Sequence, residues 1–281
     1  MTVMVEERLM VCDAHVHLWS IVSPFHQWPD AETPTIHRDF GRVEFAALSP
    51  PLTKAILVQA QPDCRETDWL LEIAVHEKRI AGVVGWAALD AADAPAVIAN
   101  LAVRPKLVGL RPMLQDMHDS CWILRPELDA GINAMMTHGL RFDALVRPRH
   151  LPAILKLARR WPDMPIVIDH AGKPDFSREG FCRWRDDMSA LAEMSNVSCK
   201  LSGLLTELPA GGVPSLMESH IRHVLDVFID RVMWGSDWPV LLLSGWSYDE
   251  WLSYAITVIR KISARQLDSI FYESSTKFYG R

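Results

Sequence analysis

The sequence predicts the α/β class, and within it a single (β/α)8 TIM barrel over residues 1–281. Three observations predict it. Eight short apolar runs alternate with helical stretches or long loops, the pattern of a parallel sheet covered by helices. The chain of 281 residues is close to the roughly 250 that such a barrel needs. Nearly every apolar run ends in a polar or ionisable residue, and a barrel gathers those ends on one face. The rival, an open doubly wound sheet, lacks its G-x-G-x-x-G after the first strand. No linker divides the chain.

The first strand lies in residues 11–19 and carries His15 and His17. They are two residues apart, so a strand presents both on one face. Residues 20–51 follow as a Pro- and His-containing loop without a clean period. A loop of that length after a barrel strand belongs over the mouth, with His26, Gln27 and Trp28 nearest a substrate. The second strand covers 54–59 and ends at Gln59; an amphipathic helix follows over 67–79. The third strand covers 81–86, a helix 94–102, and the fourth strand 107–112, ending at Arg111. Residues 124–138 read as a helix stopped by Gly139. The fifth strand, 140–146, runs past Asp143 into Arg147. A helix over 150–161 leads to the sixth strand, 165–170, which ends at Asp169 and His170. Residues 181–194 are helical. The seventh strand, 196–203, carries Lys200 and Ser202. A helix to about residue 229 precedes the eighth strand, 231–239, with Asp237 near its end. Ser247 with Glu250 and Ser263 with Gln266 match the capping box and start the last two helices.

Composition narrows the function. Net charge is −6, which argues against nucleic-acid partners, since phosphate backbones need a basic surface. No window resembles a membrane span, and residues 1–10 do not form a signal peptide. The five cysteines include no C-x-x-C pair, which fits reduced thiols and a cytoplasmic setting. Cys12 and Cys199 read as core fillers. Eleven tryptophans are explained mainly by packing, with a few, Trp28 among them, available to line a pocket for a ring-shaped ligand. His76, His118, His138, His220 and His223 fall on helices or loops and read as surface residues.

The strand ends supply the chemistry. Burying so many polar groups unpaired would cost several kcal/mol each, by order of magnitude, so a shared polar site is the simpler account. Two imidazoles on one face, a strand step apart, can hold one metal ion or polarise one substrate oxygen.

Asp13-Ala14-His15-Val16-His17, Val58-Gln59, Gly109-Leu110-Arg111, Phe142-Asp143 with Val146-Arg147-Pro148, Asp169-His170-Ala171-Gly172-Lys173-Pro174, Lys200-Leu201-Ser202-Gly203-Leu204 and Gly235-Ser236-Asp237-Trp238-Pro239 together resemble the amidohydrolase superfamily. Within it they are similar to the amidohydrolase-2 group of sugar-acid lactonases and 2-pyrone-4,6-dicarboxylate lactonase. The resemblance runs over essentially the whole chain. It implies a barrel of the metal-dependent hydrolase type that opens the ring ester of a small lactone, a fucono-, rhamnono- or galactono-type sugar lactone first among them. It implies that Asp237 and the histidines His15, His17 and His170 form the catalytic centre. Asp237 is the expected general base, and Asp169, adjacent in sequence, is expected to orient His170. Gln59, Arg111, Arg147, Trp28 and Lys200 are the expected substrate contacts. His15, His17 and Asp237, with His170 as a further ligand, would hold one divalent ion, Zn2+ or Mn2+. Metal-independent members leave a reaction without the ion open. The fourth strand ends in Arg111 where a bridging lysine or glutamate would be needed, so a binuclear site is not expected. Alternatives are a lactonase for a carboxylated or sulfonated aromatic-degradation lactone, a metal-dependent decarboxylase of the same superfamily, and a ligand-binding barrel without catalysis. The expected partner is a small-molecule lactone, and a homo-oligomer is compatible with the sequence.

Overall fold

A computed structural model describes residues 9–48 and 52–280 of the chain. The sequence-based expectation for residues 1–8 lies outside the described residues, as does the end of the first loop at 49–51. Eight parallel strands form one sheet in sequence order: β1 (Val11–Val16), β2 (Leu52–Val58), β3 (Ile80–Gly85), β4 (Leu107–Leu110), β5 (Arg141–Ala144), β6 (Ile166–Ile168), β7 (Val197–Leu201) and β8 (Val232–Trp234). The ring closes just beyond β8. The Asp237 N–H donates to the His15 carbonyl at 2.9 Å, and the His17 N–H donates to the Trp238 carbonyl at 2.7 Å. The seam of the barrel is therefore made by the backbone of the residues expected to do chemistry.

Alternation along the strands explains the two apolar layers. Ile56, Val58, Val84, Val108, Val167 and Met233 fill the lumen with Ala14. Their neighbours Ala55, Leu57, Val83, Ile166, Ile168, Val232 and Trp234 pack outward under the helices. Strand β1 breaks the alternation. Asp13 pairs with Ala55 and Val16 with Leu57, so three steps of β1 face two of β2. This bulge lets both Ala14 and His15 face inward, which a regular strand would forbid. At the opposite end of the barrel, α9 (Ser274–Tyr279) brings Tyr279 into the lumen.

The outer helices include α2 (Cys64–His76), α3 (Ala94–Ala102), α5 (Leu151–Arg160), α7 (Glu218–Phe228) and α8 (Tyr248–Ser263). Three local expectations are corrected. Residues 124–138 are not one helix: short 3-10 turns at Trp122–Leu124 and Pro126–Leu128 precede α4 (Asp129–Thr137), because Pro126 interrupts the backbone ladder. Helix α6 (Arg178–Ala192) starts earlier than its apolar period suggests, where the Ser177 hydroxyl accepts from the Gly180 N–H at 3.1 Å. The Ser247–Glu250 capping box forms, with Ser247 N–H to Glu250 Oε2 at 2.8 Å. Its Ser263 counterpart does not: Ser263 ends α8 and a 3-10 turn follows without a side-chain cap.

His220 is not on the surface. It is buried on α7 against Phe176, Phe181 and Trp184. Cys12 and Cys199 are buried free thiols. Among the described residues, no helix is long and apolar enough to cross a membrane.

Candidate active site

The C-terminal mouth of the barrel holds a cavity of about 440 Å³. His17, His170, Asp237 and Arg111 lie on its lining. The rest of the wall is mixed. Gln27, Gln61, Gln115, Asp116, Lys173 and Thr206 are polar; Trp28, Met113, Leu145 and Val240 are apolar.

The centre is built on two strained positions. His170 (φ 55°) and Asp237 (φ 59°) both adopt the left-handed conformation. Non-glycine residues there cost on the order of 1–3 kcal/mol, a cost that persists where surrounding structure enforces it. Two glycines make the room. A Cβ on Gly203 would lie 2.4 Å from His170 Nδ1, and one on Gly235 would lie 2.8 Å from the His15 Cβ. This accounts for the glycines in the Lys200–Gly203 and Gly235–Asp237 motifs.

Asp237 Oδ1 lies 3.3 Å from His17 Nε2 and 3.8 Å from His15 Nε2. The His17 Nδ1 donates to the Val58 carbonyl at 2.8 Å. Both nitrogens of His17 therefore face oxygen acceptors. Burial works to raise the Asp237 pKa, but His170, the His17 hydrogen bond and Lys173 outweigh it. The carboxyl is held below its ordinary range. Burial drives His15 and His170 well below the ordinary histidine value, with the Lys200 ammonium adding to the effect at His15. Neutral imidazoles are the form that ligates metal.

The partners beneath the centre differ from expectation. Asp169 does not orient His170. Its Oδ1 lies 3.4 Å from His15 Nδ1, and its Oδ2 lies 3.5 Å from Arg111 Nη1. His170 Nδ1 instead meets Ser202 Oγ at 2.9 Å. Arg111 Nη1 lies 3.3 Å from His15 Nε2, and His15 Nδ1 sits between Asp169 Oδ1 and the Lys200 ammonium. Lys200 is not at the substrate surface. It is fully buried below the floor, with Nζ 2.5 Å from Asp143 Oδ2, 3.0 Å from Asp169 Oδ1 and 3.2 Å from His15 Nδ1. Tyr279 donates to the same Asp143 oxygen at 2.7 Å. Gln59 is likewise beneath the wall: its amide donates to the Arg111 carbonyl at 2.7 Å, and Arg111 Nη2 donates back to the Gln59 carbonyl.

Arg147 is exposed and does not line the cavity. The 3-10 segment Pro148–His150 follows it directly. Of the first-loop candidates, Gln27 and Trp28 reach the cavity, whereas His26 is buried against Glu66 at 3.2 Å. Lys173, Gln61, Gln115, Asp116 and Thr206 are wall residues that strand-end reasoning missed. Lys173 had a signal: it sits between Gly172 and Pro174, three residues after His170, in a turn with φ 51°.

His15, His170 and Asp237 place their ligand atoms within 4.8 Å of one another, all buried. Two neutral imidazole nitrogens and a carboxylate oxygen suit Zn2+ or Mn2+. The residues present fit a single divalent ion. His17 stands beside this trio through Asp237.

A parallel barrel with a buried imidazole–carboxylate centre at its C-terminal mouth defines the class. The chain belongs to the amidohydrolase family: residues 12–281 match the family described as Amidohydrolase. L-fucono-1,5-lactonase of Burkholderia ambifaria is 46% identical over 249 residues, covering 86% of this chain and 85% of that protein. L-fucono-1,5-lactonase of Burkholderia multivorans is 36% identical over 254 residues, covering 85% and 84%. A crystal structure of a Burkholderia multivorans amidohydrolase with bound zinc is 32% identical, with a TM-score of 0.85, covering 96% of this chain and 99% of that one.

Proposed function

We propose that the protein is a sugar-acid lactonase, which hydrolyses the ring ester of a lactone of the L-fucono-1,5-lactone type. The observation that carries this reading is the Asp237 carboxylate, placed against His17 and His15 at a cavity wall of amides, a hydroxyl, Asp116, one tryptophan and Lys173, whose ammonium pairs with Glu207 at 3.0 Å. Such a wall suits a polyhydroxylated ring: the Gln27 and Gln115 amides and the Thr206 hydroxyl pair with its hydroxyl groups, and the indole covers its C–H face. A dicarboxylate or sulfonate would call for several arginines. Arg111 is the one arginine among the described lining residues; Arg149 is spent on the Gln115 and Met117 carbonyls at 2.9 and 3.2 Å. The two Burkholderia relatives carry the name of the same activity.

In this reading Asp237, kept ionised, removes a proton from the water that attacks the lactone carbonyl. It then returns the proton to the ring oxygen as the C–O bond breaks. Arg111 donates to the carbonyl oxygen as it gains negative charge. Asp169 and Ser202 hold His15 and His170 in orientation. A divalent ion held by His15, His170 and Asp237 would supply Lewis acidity at the carbonyl. The zinc in the Burkholderia multivorans relative supports Zn2+ as that ion.

The test is hydrolysis of L-fucono-1,5-lactone followed with a pH indicator. Wild type should turn it over, and Asp237→Asn should lose roughly 10²–10⁴ in kcat, the scale of a general base. Folded wild-type protein without activity on any sugar lactone would overturn the assignment.

A further inference from the structure

We propose that Gln61 is a positioning residue that sets substrate affinity by fixing Trp28 as a wall of the cavity. The first loop is then a built part of the site rather than a lid. The inference deepens the lactonase reading and rests on it only for the choice of substrate.

Gln61 lies just after β2 and is 4% exposed. Its amide NH2 donates to the Trp28 carbonyl at 2.6 Å, and its amide oxygen accepts from the Gln27 N–H at 3.2 Å. One side chain thus grips the loop on both sides of the Gln27–Trp28 peptide. The grip is rigid from behind. The Gln61 N–H donates to Glu66 Oε2 at 2.7 Å, and the Ala60 N–H donates to the same carboxylate at 3.0 Å. Glu66 is fully buried on the first turn of α2, and its other oxygen lies 3.2 Å from His26 Nε2. Three consecutive loop residues are therefore tied to one turn of the barrel.

The same turn also holds Arg111, another residue of the cavity lining. Gln59, two residues before Gln61, exchanges hydrogen bonds with Arg111 in both directions. The segment 59–61 consequently ties both Arg111 and the Gln27–Trp28 loop to one turn. A surface loop without such ties samples many conformations, and a substrate that must order it loses affinity. With the ties in place, Trp28 is already positioned when the ring arrives.

The experiment replaces Gln61 with Met, which keeps the length and removes both bonds. Hydrogen exchange should show faster uptake in the 20–35 region of Gln61→Met than in wild type, whatever the substrate. With L-fucono-1,5-lactone, KM should rise about tenfold, the worth of one such bond, while kcat stays within about twofold. Trp28→Ala should raise KM by itself, and adding Gln61→Met to it should raise KM no further. Gln61→Glu, which keeps the acceptor and loses the donor, should repeat the KM effect and serves if the Met variant does not fold. Unchanged exchange in the loop overturns the proposal. So does an additive double variant, which would make Gln61 a direct substrate contact, or a fall in kcat at constant KM. Wild type that hydrolyses no sugar lactone overturns the lactonase reading and leaves the exchange result to decide this one.

Discussion

Removing Lys200 alone should be far more damaging than removing it together with its partner. Lys200 is fully buried, with Asp143 Oδ2 at 2.5 Å and Asp169 Oδ1 at 3.0 Å. Lys200→Met strands the Asp143 carboxylate with Tyr279 as its remaining donor. Breaking a buried pair from one side costs about 3–5 kcal/mol, most of it the uncompensated charge. At roughly 2 cal/mol/K of unfolding entropy per residue, a chain of 281 residues loses about 5–9 °C in melting temperature. Lys200→Met with Asp143→Asn removes both charges and keeps an oxygen for Tyr279. It should recover to within about 1–2 kcal/mol of wild type. The single variant also carries a pH signature. Burial already pushes Asp143 up to about 6 despite Lys200, and losing the ammonium raises it further. A carboxyl whose folded pKa lies above its unfolded value is stabilising when protonated, and that stability is lost as pH rises through the folded pKa. The destabilisation should therefore grow between pH 6 and pH 9. Thermal melts of the three proteins at those two pH values test it. A double variant as unstable as the single one would refute the charge-pair account, as would a single variant that melts with wild type.

Three further outcomes are expected. Dialysis against Zn2+ followed by metal analysis should find one equivalent per chain, lost in His170→Ala; two equivalents would contradict a single His15, His170 and Asp237 site. Burial holds His220 below the ordinary histidine range, so its share of stability is present above pH 6.5 or so and lost as pH falls through the folded value. His220→Gln should accordingly keep more of its neutral-pH melting temperature at pH 5 than wild type does. Ser247→Ala removes the cap of α8 and should cost about 1 kcal/mol in a denaturant melt, with lactone turnover unchanged.

The barrel was legible because its signal is local. Runs such as Ile56–Val58 or Ile166–Ile168 are apolar on both faces, and the polar residue closing each run marks the catalytic end. Convergence of His15, His17, His170, Arg111 and Asp237 follows from that order alone. What was not legible depends on depth and on turn geometry. Lys200 and Arg111 look alike as cations at strand ends, but one lies beneath the floor and the other on the wall. Adjacency misled at Asp169 and His170: the left-handed turn at His170 and Ala171 sends the two side chains to different partners, His15 and Ser202. The wall residues Gln61, Gln115 and Thr206 come from loops whose approach to the cavity no period encodes.

The join between the last strand and the first has a consequence for how such an enzyme can diversify. Because the peptides of His15, His17, Asp237 and Trp238 seal the cylinder, any change that loosens the scaffold there also misaligns the reacting groups. Adaptation to a new lactone is thereby channelled into the segments that rim the opening, which can vary without unzipping the ring.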